Sequence, residues 1–180
     1  MHELSGMPSI PITGKLGDDT TGVVGMQVRE QSRYADDTVR LLDGARQVLY
    51  ELATQPRYRE VVLAAASSSL EPSYSQVCLE KLEIRQGLTL ADMLSFVQIG
   101  RTGKLSPDKR THFRQLHEES GIDYEEMLFF DDCNWGDHVG VVQREFGVVG
   151  QRTPAGLDWH DFQQGMESYH KQTERRLAGY

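Results

Sequence analysis

Two adjacent carboxylates, Asp131 and Asp132, close an apolar run at residues 127–130. Side by side they repel one another and are costly to desolvate unless a cation or a set of backbone donors compensates them. A hard divalent ion such as Mg2+ supplies that compensation with one or two protein carboxylates, taking water and substrate phosphate for the rest of its shell. The competing reading is structural: Asp132 caps the next helix and Asp131 is solvated. A second apolar run, at 61–66, stops at Ser67, Ser68 and Ser69. Hydroxyl and N–H donors in such a turn suit an anion such as a phosphoryl group, or simply make a polar loop. Lys109 falls in the first turn of a predicted helix, where the macrodipole disfavours a cation. It either answers an anionic ligand or is one more surface lysine.

Other residues carry weaker signals. Asp137 suits a helix cap better than a metal ligand. His112 and His117 are five apart and do not share a helical face as a zinc pair would, so they read as helix surface or partial core. Carboxylates beside Cys133 work against a reactive thiol, and Trp135 and Gly136 read as loop packing. No G-x-G-x-x-G, Walker loop or G-x-S-x-G occurs, so dinucleotide, nucleoside-triphosphate and α/β-hydrolase chemistry lack their motifs.

The elements that must position these groups follow from periodicity. Residues 1–38 are rich in glycine, with paired threonines, and read as a variable loop with one short ribbon around 22–28. Asp43 is expected to cap a helix with Val48, Leu49 and Leu52 on its apolar side. The run 61–66 has the length and continuity of a strand buried on both faces. Pro72 opens a helix through Tyr74, Val77, Cys78 and Leu82; residues 88–93 read as a helical turn and 96–99 as a strand closed by Gly100. Ser106, Pro107 and Asp108 start a helix that Gly121 stops, 127–130 is a second buried strand, 137–146 a helix, and 148–149 a further strand. An amphipathic segment with Trp159, Phe162 and Met166 precedes a polar tail at 169–180. Strands alternating with helices predict an α/β, doubly wound, Rossmann-like domain over 39–168 with a mostly parallel sheet. Ligands of such sheets bind beyond the carboxyl ends of the strands, where the serines and the paired acids lie.

Composition bounds the partners. Nineteen Lys+Arg against 27 Asp+Glu give a formal net charge of -8, which repels phosphate backbones and argues against nucleic acid. The densest basic stretch, residues 171–176, reads as a solvated helix end. No apolar run reaches the roughly 18 residues of a membrane span, and the first residues lack a signal-peptide pattern, so a cytoplasmic, monomeric protein is expected. Two cysteines form neither a disulfide framework nor a four-thiolate zinc site, and Cys78 reads as a small core residue.

The order of hydroxyl, lysine and paired acids, each beyond a strand, resembles the haloacid dehalogenase-like superfamily of phosphotransferases. Ala64-Ala65-Ala66-Ser67, Lys109-Arg110-Thr111-His112-Phe113 and Glu126-Met127-Leu128-Phe129-Phe130-Asp131-Asp132 resemble its eukaryotic magnesium-dependent phosphatase family, in the acid-phosphatase branch. The similarity runs over about residues 39–166. It implies a magnesium-dependent phosphoric-monoester hydrolase acting through an aspartyl-phosphate on a phosphorylated small molecule or phosphoprotein. Ser67, with Ser68 beside it, would bind the phosphoryl oxygens; Lys109 would neutralise their charge and orient the nucleophile. Asp131 would bind Mg2+ directly, and Asp132 through water. Phosphoryl transfer works mainly through such positioning and electrostatic stabilisation.

One departure is large. The family opens with an apolar strand ending in a D-x-D motif whose first Asp is the nucleophile. Here Asp18-Asp19-Thr20 and Asp36-Asp37-Thr38 follow no apolar run and do not replace it. Met1 is therefore expected to start just after that motif, leaving Ser, Lys and Asp groups that bind phosphate and Mg2+ but turn over poorly. The alternative is a non-catalytic pseudophosphatase or phosphate-binding domain. A phospho-acceptor receiver domain shares these groups but in another order, with the acids first. Residues 70–108 hold only two helices and a strand, so no large cap domain is expected.

Overall fold

β-branched residues at Ile12, Thr13, Val23 and Val24 favour extended chain even where glycines interrupt the alternation. In the computed structural model, which describes residues 12–18, 23–28 and 38–179, strands β1 (Ile12–Asp18) and β2 (Val23–Val28) form an antiparallel hairpin. The other edge of β2 pairs with β3 (Thr38–Val39). The ribbon near 22–28 is thus the middle strand of a three-stranded sheet, and part of the expected loop is strand. Asp19, Thr20, Asp36 and Asp37 lie outside the described residues.

Helix α1 (Asp43–Thr54) has Leu42, not Asp43, at its cap position; Asp43 instead lends its charge to the first turn. After a 3-10 turn at Pro56–Tyr58 come β4 (Leu63–Ser67) and α2 (Pro72–Lys81). A small antiparallel pair, β5 (Glu83–Arg85) with β6 (Leu88–Thr89), leads into α3 (Leu90–Met93), closed by a reciprocal Thr89–Asp92 capping box. The expected helical turn at 88–93 therefore begins two residues later, its first pair being strand. Then follow β7 (Leu94–Ile99), α4 (Lys109–Ser120), β8 (Leu128–Asp131), α5 (His138–Phe146), β9 (Val149–Arg152) and α6 (Trp159–Leu177). Gly121 ends α4 at φ +68°, a left-handed position where a side chain is strained. The final helix takes in residues 169–177, so most of the expected polar tail is helical.

Parallel pairing is confined to the four strands that carry the candidate site. β4 pairs with β7 (Ala65 opposite Val97) and β8 with β9 (Phe129 opposite Gly150). Helices cover both faces of the second pair: Phe129 packs with Phe113 of α4 and Val139 and Val142 of α5, while Phe130 faces Phe162 of α6. This is the doubly wound α/β arrangement the sequence predicts. A second apolar cluster joins Val39, Leu41, Cys78, Leu79, Leu82, Ile84 and Leu90 around α2 and the β5–β6 pair. Burial pushes the Cys78 thiol up to about 11, in keeping with a core residue.

One expectation fails. The run 61–66 is not buried on both faces: Val61 and Val62 precede the strand and are each 47% exposed, and Ala64 is exposed within it. The reason lies at the inner edges. A strand's backbone groups point to alternate sides. The Ser67 carbonyl accepts from Gly100 N–H at the end of β7, so Ala64 and Ala66 present theirs to the opposite edge. Likewise the Met127 and Asp131 carbonyls accept from Val149 and Thr153, which leaves Leu128 and Phe130 facing away from β9. Among the described residues no strand pairs with either inner edge, and β4 lacks the neighbour that would cover it.

Candidate active site

The candidate groups meet where β4 and β8 end, and the start of α4 ties the two ends together. Asp108 caps that helix, its side chain accepting from Arg110 N–H at 2.9 Å. The turn before it is fixed by Ser106 Oγ, which accepts from Asp108 N–H at 3.1 Å, and by Thr111 Oγ1, which accepts from Ser106 N–H at 3.0 Å. With the backbone so held, the first helical side chain, Lys109, turns inward and is only 5% exposed. Its ammonium donates to the Ala66 carbonyl on the inner edge of β4, and stands 3.4 Å from Asp131 Oδ2 at the end of β8. Burial pulls the Lys109 pKa below its ordinary value, and Asp131, with Asp132 and Cys133 behind it, opposes that pull. A buried ammonium at a helix N-terminus has both desolvation and the dipole against it, and the Asp131 carboxylate beside it offsets part of that cost.

One helical turn on, His112 is fully buried. Its Nε2 lies 3.1 Å from both the Ser67 and the Gly100 carbonyl oxygens. Two acceptors require the proton on Nε2. Burial first, then the charge of Lys109, holds the His112 pKa below the ordinary imidazole value. Lys109 and His112 thus clamp successive carbonyls of β4 and fix the turn that presents Ser67. Ser68 is held through its carbonyl by Arg101 Nε, and Ser69 Oγ accepts from Glu71 N–H at 3.1 Å. The Ser69 hydroxyl therefore serves the loop. Those of Ser67 and Ser68 have no protein partner among the described residues.

At the end of β8, Asp131 Oδ1 accepts from Cys133 N–H at 2.9 Å and lies 3.3 Å from His138 Nδ1. Asp132 is exposed at the mouth. Asp137 caps α5, its side chain accepting from Gly140 N–H, and Arg144 holds the same carboxylate. Trp135 is 67% exposed, so it does not pack the loop as expected.

The structure therefore joins Ser67, Lys109 and Asp131 at one edge of the fold, with Ser68 and Asp132 in the flanking turns. One half-buried and one exposed carboxylate at a strand end are hard oxygen donors of the kind a divalent ion takes, the remaining positions falling to water and substrate. Sequence reading missed three residues: His112, Arg101 and His138. The i, i+3 spacing of Lys109 and His112 places both on one helical face and was the available signal for the first. Nothing in the sequence marks the other two.

Two comparisons with known proteins bear on the family of the chain. A family model described as Acid Phosphatase matches residues 24–172. A HAD-like hydrolase superfamily protein of Schizosaccharomyces pombe is 35% identical over 85 residues, which cover 47% of this chain and 46% of that protein. The matched stretch thus spans less than half of that relative's length. With most of its length inside the family model, the chain belongs to the acid phosphatase family of the HAD-like superfamily.

Proposed function

We propose that this chain carries the phosphate- and metal-binding half of a Mg2+-dependent phosphoric-monoester hydrolase that works through an aspartyl-phosphate. The observation that carries the reading is Lys109, a buried ammonium held between the Ala66 carbonyl and Asp131, with the Ser67 turn clamped beside it. Ser67 donates its hydroxyl to a phosphoryl oxygen, and the turn N–H groups assist. Lys109 offsets the phosphoryl charge from a dry site, where an ion interacts more strongly than in water. Asp131 and Asp132 hold Mg2+, which when bound adds positive charge at the phosphoryl oxygens. His112 holds the Ser67 turn in place without touching substrate. Substrates are phosphorylated small molecules or phosphoproteins.

No apolar strand ending in D-x-D occurs in the sequence, so no residue of this chain is assigned as the carboxylate nucleophile. The test is hydrolysis of an aryl phosphate, with and without Mg2+, by the 180-residue chain and by a form carrying such a strand ahead of Met1. Mg2+-dependent turnover confined to the extended form is expected. Equal activity in both forms, or none in the extended one, contradicts the proposal. The second reading, a non-catalytic phosphate-binding domain, draws on the same absence of a D-x-D strand and predicts phosphate binding with no turnover in either form.

A further inference from the structure

The loop after β8 gathers donors of a different kind from paired carboxylates. Cys133 Sγ lies 3.7 Å from His138 Nε2, and Asp131 Oδ1 lies 3.3 Å from His138 Nδ1. Taking one donor atom from each of Asp131, Cys133 and His138, the three lie within 4.8 Å of one another. A tetrahedral zinc ion, with bonds of about 2.3 Å to sulfur and about 2.0–2.2 Å to nitrogen and oxygen, sets its ligands roughly 3.4–3.6 Å apart. One ring nitrogen serves one ion, so the imidazole must turn to present a single nitrogen toward both Cys133 Sγ and Asp131 Oδ1.

Two features support a site rather than a chance cluster. His138 Nδ1 is buried without a hydrogen-bond partner although a carboxylate oxygen stands beside it, so the two are close but misaligned. A cation between them would satisfy both. The loop is also braced from behind, Arg152 Nη2 donating to the Cys133 carbonyl at 3.2 Å and Cys133 N–H to Asp131 Oδ1. Such outer contacts orient metal ligands.

We propose that Cys133, His138 and Asp131 form a site for a thiophilic divalent ion of the Zn2+ class, with a fourth position open. Sulfur and imidazole favour such an ion, while carboxylate and water favour Mg2+. Both ions draw on Asp131, so the two are expected to compete for it. Zn2+ would thus act as an inhibitor of the Mg2+-dependent reaction; this consequence rests on the proposed function, whereas the binding site does not.

The test is titration of the full chain with Co2+ in a large excess of Mg2+, read by absorption. A thiolate-to-cobalt charge-transfer band with strong four-coordinate visible bands is expected, and Zn2+ should abolish both. Cys133→Ser should lose the charge-transfer band, and His138→Gln should weaken binding at least about tenfold. X-ray absorption of the Zn2+-loaded wild type, which needs no variant to fold, should show one sulfur at about 2.3 Å. Weak six-coordinate cobalt displaced by Mg2+, a charge-transfer band that survives Cys133→Ser, or a zinc shell without sulfur overturns the site. None of these readouts depends on whether the chain hydrolyses phosphate.

Discussion

The two parallel pairs, β7–β4 and β9–β8, end at the same site but are built differently. β8 carries Phe129 and Phe130, packed on opposite faces against α4 with α5 and against α6. β4 carries three alanines, is exposed at Ala64 and only half-buried elsewhere, and Ala66 joins the Phe113–Phe129 cluster. Packing therefore fixes the acid half. The serine half is fixed mainly by hydrogen bonds from α4, through Lys109 to Ala66 and His112 to Ser67. A strand of small residues whose inner edge pairs with no strand among the described residues cannot hold its own position by burial, so the helix that crosses from one half to the other does so with polar side chains.

Removing the bridge should break that arrangement most severely. Lys109→Met leaves Asp131 buried without its cation, and loss of one partner of a buried pair costs about 3–5 kcal/mol. Phosphate binding should fall with it. Pairing the change with Asp131→Asn should recover part of the stability, because no charge then stays buried alone; denaturant midpoints of the single and double variants measure this. No recovery would mean that Lys109 stabilises by packing.

The next contrast is between the halves themselves. Phe129→Ala should cost about 3–5 kcal/mol by opening a cavity between α4 and α5. Ala64→Ser, on the exposed part of β4, should stay within about 0.5 kcal/mol. Similar losses at both positions would erase the distinction. Gly165→Ala lies between these: its Cβ would come within 2.7 Å of the Phe130 ring, an overpacking that costs about 1–3 kcal/mol, read as a lower Tm.

The last contrast depends on pH. Burial and Lys109 hold the folded pKa of His112 below its value of about 6.5 in the unfolded chain, so the unfolded state takes the proton first. Its contribution is complete above about pH 6.5 and is lost as the pH falls through the folded value. Wild-type Tm should therefore drop between pH 7.5 and 5.5 by more than that of His112→Leu. The variant itself should be about 1–3 kcal/mol less stable at pH 7.5, since the Gly100 carbonyl loses its donor. Parallel Tm curves for the two proteins would show that His112 does not titrate in this way.

Much of this architecture was legible in the sequence because strand-length apolar runs and capped helices leave strong local patterns: Asp108 with Gly121 bounds α4, and Met127 to Asp131 reads directly as a strand running into acids. The serines and paired acids stood out as candidates by their places at strand ends and Lys109 by its place in the first turn of a helix, while their roles came only from the family resemblance. The exposure of Ala64 did not, because it depends on a neighbour strand rather than on the residues of β4. His138 was equally invisible, since its meeting with Cys133 and Asp131 arises from the path of the loop between β8 and α5. The hairpin of β1 and β2 was partly masked by its glycines, which dilute the alternation that marks a strand.

The central claim is that the ends of β4 and β8, joined by Lys109, form one phosphate and divalent-metal site. Calorimetric titration of inorganic phosphate into the 180-residue chain, with and without Mg2+, and into Lys109→Gln, tests it without requiring turnover. The account predicts binding that Mg2+ strengthens and Lys109→Gln abolishes while the variant remains folded by circular dichroism. Binding indifferent to Mg2+ and to Lys109, or no binding by the wild-type chain, would contradict it.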